Sequence, residues 1–294
     1  MPIILDGKKL SNEIRSEIKA DIDLLKLSGK KIPHLAAVLV GNDGASTTYI
    51  NSKIKLCGLV GMESTFIHLE ASTTEDTLLK IVDGLNKNKE IDGFIIQLPL
   101  PKHISESKII ESIDPVKDVD GFHPINLGRM QLGLPALISA TPAGIITMLE
   151  RYKIKTTGKH CVIIGRSNIV GTPLSILLSR NSNPGNCTVS LCHSRTKNLK
   201  EFCLQADILI AALGKPEFIT AEMVKEGAVV IDVGISRIEA NNVKQYLIKG
   251  DVKFDEVAPK CYAISPVPGG VGLMTVISLL MNTMKAAKVH SSEF

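Results

Sequence analysis

The chain has 294 residues, of which 44% are hydrophobic and 22% are charged, as expected for an ordinary globular protein. Its net charge is only +4, and aromatic residues make up 4% with no tryptophan, which argues against a basic, aromatic surface for nucleic acid. The amino terminus shows no secretory signal and no apolar run reaches the length of a membrane span, so we expect a cytoplasmic protein without a membrane partner. The six cysteines form no C-x-x-C pair and the seven histidines no metal-binding spacing, so neither disulfides nor a metal site is predicted.

Strand and helix patterns alternate through the first hundred residues. Apolar residues recur at helical spacing in some segments, and others are short apolar runs bounded by turn residues. This βαβ order implies a parallel sheet with right-handed crossovers. The predicted elements are, in chain order, residues 8–27, 34–40, 46–59, 64–69, 75–86 and 93–98.

A second α/β series follows a loop-rich zone at residues 114–141. Thr141 and Pro142 predict the N-cap and first residue of a helix over 143–152. The expected architecture is therefore two α/β lobes around a cleft, with ligands at the carboxyl ends of the strands. The further predicted strands are 160–164, 187–191, 207–211 and 228–232, and a final apolar helix covers 273–285.

Residues 160–196 form a strand, a glycine turn, a helix and a second strand. Gly165 and Gly171 in the turn permit a phosphate to approach the helix N-terminus, although their spacing is not G-x-G-x-x-G, and an ordinary α/β turn is the alternative. The second strand ends at Ser194 and Arg195, where NAD enzymes usually carry an acidic residue for the ribose. A hydroxyl and a guanidinium suit a 2′-phosphate instead, which favours NADP.

Candidate catalytic residues occur near one helix start, at one strand end and in one polar loop. Tyr49 and Lys53 are four residues apart and share one helix face beside its apolar stripe, although a lysine there is more often solvated. Gln97 closes an apolar strand, and its amide is either satisfied by backbone or directed into the cleft. In the loop that contains Asp118 and Asp120, one carboxylate could face a ligand, or both could stabilise the turn.

Five ordered motifs carry a resemblance to a known family. On these motifs the chain resembles, over nearly its whole length, the bifunctional methylenetetrahydrofolate dehydrogenase/methenyltetrahydrofolate cyclohydrolase family. The order and the intervals of the motifs are far more specific than any single one of them. They are residues 49–53, 93–101, 117–124, 165–171 and 266–272.

The resemblance implies oxidation of 5,10-methylenetetrahydrofolate by NADP⁺ and hydrolysis of the methenyl product to 10-formyltetrahydrofolate, in one-carbon metabolism and purine biosynthesis. It implies a folate-binding catalytic domain over residues 1–140 plus 272–294, and a Rossmann-type NADP-binding domain with a parallel sheet over 141–271. It further implies a homodimer.

The resemblance also assigns roles to individual residues. Lys53 is implied as the key cyclohydrolase residue, with Gln97 beside it, Tyr49 flanking the folate and Asp120 holding the pterin. The implied cofactor contacts are Gly165, Arg166, Ser167, Ser194, Arg195 and Ile235. The implied folate contacts are Tyr49, Lys53, Gln97, Leu98, Asp120, Pro268, Gly269 and Gly270.

Hydration of the methenyl product requires proton transfer, so a lysine base needs a pKa lowered by burial or by a nearby cation. A carboxylate close to Lys53 would raise that pKa, which favours Asp120 as a clamp on the pterin over an ion-pair partner of Lys53. Tyr49 either stacks on the folate or hydrogen-bonds to Lys53.

The chain departs from the family pattern at two places. Ser139 and Ala140 replace Pro-Cys in the family's Pro-Cys-Thr-Pro, and Leu273 stands where proline is usual. Neither departure touches the candidate catalytic residues, so both activities are expected. The other hypotheses are a different NADP-dependent dehydrogenase similar to shikimate dehydrogenases, and a nucleotide-sensing or scaffold protein without turnover.

Overall fold

The computed structural model describes residues 1–239 and 246–291. It comprises two compact units, which we name the N-unit and the C-unit. The N-unit consists of Glu13–Ala140 with Val276–Phe294, and the C-unit of Met1–Asn12 with Thr141–Thr275.

The secondary structure alternates between strands and helices in both units. The strands are β1 (Ile3–Ile4), β2 (His34–Val40), β3 (Glu63–Leu69), β4 (Gly93–Ile96), β5 (His160–Ile164), β6 (Thr188–Cys192), β7 (Ile208–Ala211), β8 (Val229–Asp232), β9 (Ser236–Glu239), β10 (Tyr246–Lys249) and β11 (Ala263–Ile264). The helices are α1 (Gly7–Leu27), α2 (Gly44–Val60), α3 (Glu75–Lys87), α4 (Glu106–Ser112), α5 (Pro124–Gln131), α6 (Ala140–Arg151), α7 (Gly171–Ser179), α8 (Leu199–Gln205), α9 (Phe254–Val257) and α10 (Val271–Ser291).

The N-unit is built on a three-stranded sheet in the order β3-β2-β4, and both strand pairs are parallel. The central strand β2 is apolar and almost entirely buried, as expected for a parallel strand covered on both faces. One face packs against α3 and α4, where Leu78, Val82 and Ile109 join Phe94 of β4 in a buried cluster. Because the strands are parallel, their carboxyl ends meet at one edge of the sheet.

A polar segment runs beside β4 at that edge. Asp118 forms a parallel bridge with Phe94, whose N–H donates to the Lys117 carbonyl at 3.0 Å. The residues that follow Asp118 therefore lie next to the end of β4.

The C-unit contains a six-stranded sheet in the order β1-β11-β8-β7-β5-β6, in which every neighbouring pair is parallel. The chain runs from β5 outward to β6 and then returns to β7 on the other side of β5. The strand order therefore reverses at β5, which is the point where doubly wound sheets bind ligands. The predicted Rossmann-type parallel sheet is confirmed.

The amino-terminal residues Met1–Asn12 belong to the C-unit, whereas the resemblance implies a domain over residues 1–140 plus 272–294. Ile3 and Ile4 pair in parallel with Ala263 and Ile264, which adds β1 to the edge of the six-stranded sheet. Strands of two residues carry no detectable periodicity, so this pairing leaves no local signal in the sequence.

The predicted N-cap at Thr141 is wrong. Helix α6 begins at Ala140, so Thr141 lies inside it, and its hydroxyl is 3.0 Å from that of Thr275. Helices α4 and α5 were not predicted, and α5 falls in the zone predicted to be loop-rich, where His123 caps it and Pro124 opens it. Strand β4 ends at Ile96, so Gln97 and Leu98 follow the strand instead of closing it.

The six cysteines are free and buried, as predicted for small apolar side chains. Among the helices within residues 1–239 and 246–291, none is long and apolar enough to cross a membrane.

Candidate active site

Helix α2 positions Lys53 at the carboxyl edge of the N-unit sheet. The helix starts shortly after β2, where the Asp43 carboxylate accepts the N–H of Ser46 at 2.7 Å and so caps the first turn. Lys53 is only 4% exposed, and its Nζ lies 4.5 Å from the centroid of the Tyr49 ring, one turn earlier on the same face. The burial excludes the alternative of a solvated surface lysine.

Gln97 fixes the amine from the side of β4. Its backbone N–H donates to the Val38 carbonyl at 2.9 Å, and its side-chain Nε2 donates to the Leu98 carbonyl at 2.7 Å. Its Oε1 accepts a hydrogen bond from Lys53 Nζ at 3.3 Å. Backbone therefore satisfies the amide nitrogen, while the amide oxygen faces Lys53.

The two aspartates of the 117–124 motif have different environments. Asp118 is buried and accepts the N–H of Gly121 at 3.1 Å, the N–H of His123 at 2.8 Å and Nδ2 of Asn126 at 2.9 Å. Its carboxylate is thus used by the turn and by the start of α5. Asp120 is partly exposed, and no hydrogen bond to its carboxylate forms within the described part of the chain. Asp120 is the carboxylate that remains for a ligand.

Two buried side chains hold the backbone around Asp120. Asn282 of α10, 1% exposed, donates from Nδ2 to the carbonyl of Val119 at 2.9 Å and to that of Ile138 at 2.8 Å. The Ser139 hydroxyl donates to the Gly121 carbonyl at 2.9 Å, a bond that the family's usual proline at this position has no hydrogen to form. Sequence reasoning missed both residues as supports of the site.

Burial dominates the electrostatics of this cluster. Desolvation lowers the pKa of Lys53 below its ordinary value of 10.5, while the negative charge of Asp120 opposes that shift. Desolvation also raises the pKa of Asp120, with Lys53 acting against it, and raises the pKa of Tyr49. The expected upward pull of a carboxylate on Lys53 is present, but burial outweighs it. Burial thus disfavours the charged forms of all three groups, namely the ammonium of Lys53, the phenolate of Tyr49 and the carboxylate of Asp120.

A second site lies in the C-unit, at the point where the strand order reverses. A cavity of about 440 Å³ opens beyond the carboxyl ends of β5, β6 and β7. Its size and its two cations, Arg166 and Lys215, suit a dinucleotide with phosphate groups. The lining residues are Ile164, Gly165, Arg166, His193, Ser194, Thr196, Leu199, Ala212, Leu213, Lys215 and Phe218.

Three of the six predicted cofactor contacts line this cavity, namely Gly165, Arg166 and Ser194. Ser167 instead stabilises the turn, since its Oγ accepts the N–H of Val170 at 3.2 Å. Arg195 is exposed, immediately after Ser194 but outside the lining residues.

Ile235 is 59% exposed and also lies outside the cavity lining, against Gly272. Sequence reasoning missed Lys215, whose signal is a cation shortly after the apolar strand β7.

The glycines of the turn after β5 serve close backbone packing. A Cβ on Gly165 would lie 2.1 Å from the Ala212 carbonyl oxygen, and a Cβ on Gly171 would lie 1.8 Å from that of Gly165. Gly165 also has a φ of 121°, which side chains rarely adopt. The turn therefore packs against the residue that follows β7, and Gly165 and Ala212 both line the cavity.

Pro268, Gly269 and Gly270 belong to the C-unit and pack against the beginning of α1. The N–H of Lys8 donates to the Gly269 carbonyl at 3.0 Å, and a Cβ on Gly7 would collide with Gly270. Their contact with folate stays a prediction.

Comparisons with known proteins agree along nearly the whole chain. The model of the tetrahydrofolate dehydrogenase/cyclohydrolase catalytic domain matches residues 5–120, and that of the family's NAD(P)-binding domain matches residues 139–291. The bifunctional protein FolD of Cytophaga hutchinsonii is 62% identical over 285 residues, which cover 97% of this chain and 98% of the relative.

Two solved structures are similar over nearly their full length. The bifunctional methylenetetrahydrofolate dehydrogenase/cyclohydrolase FolD from Campylobacter jejuni is 46% identical, covers 98% of this chain and 99% of its own, and gives a TM-score of 0.93. The Trypanosoma brucei N5,N10-methylenetetrahydrofolate dehydrogenase-cyclohydrolase, solved with NADP and an inhibitor, is 31% identical, covers 98% of each chain and gives a TM-score of 0.92.

A Rossmann-type sheet with a cation-lined cavity is typical of a dinucleotide-binding enzyme, and the match to an NAD(P)-binding domain identifies the dinucleotide as a nicotinamide one. The chain belongs to the tetrahydrofolate dehydrogenase/cyclohydrolase family. It is a bifunctional methylenetetrahydrofolate dehydrogenase and methenyltetrahydrofolate cyclohydrolase that acts on folate, so the predicted family and both predicted activities are confirmed. This match decides against the shikimate-dehydrogenase-like and scaffold hypotheses.

Proposed function

We propose that Lys53 is the proton-transferring residue of the cyclohydrolase and that the C-unit cavity binds NADP. The N-unit then supplies folate binding and hydrolysis, and the C-unit supplies the dinucleotide site. The observation that carries the first assignment is a buried amine whose position is fixed by Gln97 and Tyr49 beside an unsatisfied carboxylate.

The residues of the cavity fit NADP. Arg166 and Lys215 face phosphate groups in a cavity of about 440 Å³, and Ser194 follows the strand at whose end the ribose is held. Arg195 is exposed beside Ser194 and reaches a 2′-phosphate from the rim. When bound, NADP⁺ supplies the acceptor for the hydride that leaves the methylene carbon of the folate.

Hydrolysis needs a base for the attacking water and an acid for the departing nitrogen. The neutral amine of Lys53 takes a proton from the water as its oxygen bonds to the methenyl carbon. The resulting ammonium returns that proton to the ring nitrogen as the carbon–nitrogen bond breaks, and the hydroxyl proton is released as the formyl carbonyl forms. Because Gln97 Oε1 accepts one hydrogen from Nζ at 3.3 Å, the lone pair of the neutral amine does not point at Gln97 and is available to accept a proton.

Asp120 and Tyr49 act on the substrate beside this amine. The Asp120 carboxylate accepts hydrogen bonds from the N–H groups of the pterin. These bonds satisfy a partly buried carboxylate that has no donor among the described residues. The Tyr49 ring is held 4.5 Å from Nζ, so its apolar face shields the amine from water and is available to stack on the folate.

The test is a paired assay on the purified protein with methylenetetrahydrofolate and either NADP⁺ or NAD⁺. Absorbance reports NADPH and the methenyl intermediate separately, so oxidation and hydrolysis are followed together. The expected result is faster turnover with NADP⁺ and transient methenyl product that disappears by hydrolysis. Faster turnover with NAD⁺ would overturn the cofactor assignment.

We further infer a homodimer that functions in the cytoplasm. Tyr246, Leu247 and Ile248 expose apolar side chains on the two-stranded ribbon of β9 and β10, where a second copy would cover them. Six free thiols fit a reducing compartment. Light scattering of the purified protein distinguishes a dimer from a monomer of 31.7 kDa.

A further inference from the structure

Two buried carboxylates of the C-unit lie behind the cofactor cavity. Asp232 ends β8 and is 3% exposed, and Asp251 follows β10 and is fully buried at 0%. Neither residue lines the cavity. Their hydrogen bonds nevertheless lead to the segments that do.

Asp251 accepts three consecutive backbone N–H groups. Its Oδ2 accepts those of Leu213 at 2.6 Å and Gly214 at 3.0 Å, and its Oδ1 accepts that of Lys215 at 2.7 Å. Successive N–H groups that converge in a turn form a concave anion site. In this turn the protein's own carboxylate fills that site, while Leu213 and Lys215 line the cofactor cavity.

Asp232 holds Asp251 in place. Its carboxylate accepts the N–H groups of Asp251, Val252 and Gly234, each at 2.9 Å. Its own N–H donates to the hydroxyl of Ser265 at 2.8 Å, just before the 266–272 motif. Burial raises the pKa of Asp232 to about 6, so it is mainly an ionised acceptor at neutral pH.

Glycines lie against both carboxylates, where a side chain would not fit. A Cβ on Gly234 would lie 2.4 Å from Asp251 Oδ1, and a Cβ on Gly250 would lie 1.9 Å from Asp232 Oδ2. Larger residues at these positions would displace the carboxylates, so the backbone is shaped to admit them.

We infer that Asp251, held by Asp232, is a positioning residue that sets the cofactor-binding turn 213–215 in its place beneath NADP. This inference rests on the proposed function of the cavity. Asp232 also fixes Gly234, the residue before Ile235, so one pair of carboxylates aligns two segments assigned to the cofactor.

The decisive variant is Asp251→Asn, which keeps the shape but places an amide N–H₂ against backbone N–H donors. Asparagine keeps one acceptor oxygen, so one or two of the three hydrogen bonds are lost and the remainder no longer involve a charged acceptor. We therefore expect the KM for NADP⁺ to rise about tenfold or more. Hydrolysis of methenyltetrahydrofolate, measured without NADP⁺, should stay within about twofold of the parent. Asp255→Asn makes the same chemical change at an exposed position of α9. It should leave the KM for NADP⁺ and the hydrolysis rate unchanged.

A KM for NADP⁺ within about twofold of the parent in a folded Asp251→Asn enzyme would overturn the inference. If the variant loses both activities, the inference is tested instead by amide hydrogen exchange of the parent protein. Slow exchange of the 213–215 amides in the cofactor-free protein supports the inference, and exchange at the rate of unstructured peptide overturns it. Absence of NADP-dependent turnover in the parent itself would instead refute the proposed function.

Discussion

Replacing Lys53 by methionine should abolish hydrolysis while some dehydrogenase activity remains. Methionine has a similar length and fills the same buried position beside Tyr49, but its thioether cannot accept or donate a proton. Because Lys53 is 4% exposed and lies 3.3 Å from Gln97 Oε1, solvent water is poorly placed to replace the amine. Positioned proton transfer is worth about 10²- to 10⁴-fold in rate, and we expect a loss in that range.

The measurement is the decay of methenyltetrahydrofolate absorbance, beside NADPH formation from methylenetetrahydrofolate. Lys55→Met is the matched control, because Lys55 is on the same helix but exposed. It should hydrolyse the substrate at the parent rate. Hydrolysis by Lys53→Met within a few-fold of the parent would refute the assigned role, as would an equal loss in the control.

The pH dependence of hydrolysis by the parent enzyme is a second test of Lys53 as the base. In the proposed mechanism the base is the neutral amine, so the hydrolysis rate should fall as pH decreases through the pKa of Lys53. Burial lowers that pKa from 10.5, so activity should extend to lower pH than an exposed lysine allows.

Other substitutions test the surrounding residues. Asp120→Asn removes a charge that raises the pKa of Lys53, so the acid limb of the hydrolysis profile should move to lower pH while the KM for folate rises. Asn282→Ala leaves two carbonyls without their donor, and urea denaturation should show a loss of about 2 kcal/mol in the free energy of unfolding. Ser194→Ala and Arg195→Ala should each raise the KM for NADP⁺ about tenfold and the KM for NAD⁺ much less, as measured by initial rates.

The sequence predicts the strands well where they are continuous apolar runs. Strands β2 and β5 have the predicted bounds, because parallel strands buried on both faces show uninterrupted hydrophobicity. The two-residue strands β1 and β11 leave no such pattern, since their pairing depends on residues more than 250 positions apart. The prediction of an N-cap at Thr141 was wrong, because its hydroxyl pairs with that of Thr275 on a helix distant in sequence. Local sequence does not show such a partner.

The candidate site was predictable in part. The resemblance names Lys53, Gln97, Tyr49 and Asp120, and the structure groups the first three by direct contact. Local sequence does not decide between Asp118 and Asp120, because both are suitable turn residues. Only the fold shows that three donors occupy Asp118.

The supporting residues were not predictable from local pattern. Asn282 and Asp251 act on backbone groups that are distant in sequence, so their roles require the folded chain.

The two aspartates together explain how burial can lower the pKa of Lys53 beside a carboxylate. Asp118 accepts three N–H donors, and its electrostatic interaction with Asp120 raises the pKa of Asp120 further than burial alone does. A carboxylate that ionises less readily attracts a proton on Lys53 less strongly, so the lowering of the lysine pKa by desolvation prevails. The turn after Asp118 and the pKa of Lys53 are thereby linked, because Asp118 both orders the backbone of this turn and makes Asp120 harder to ionise.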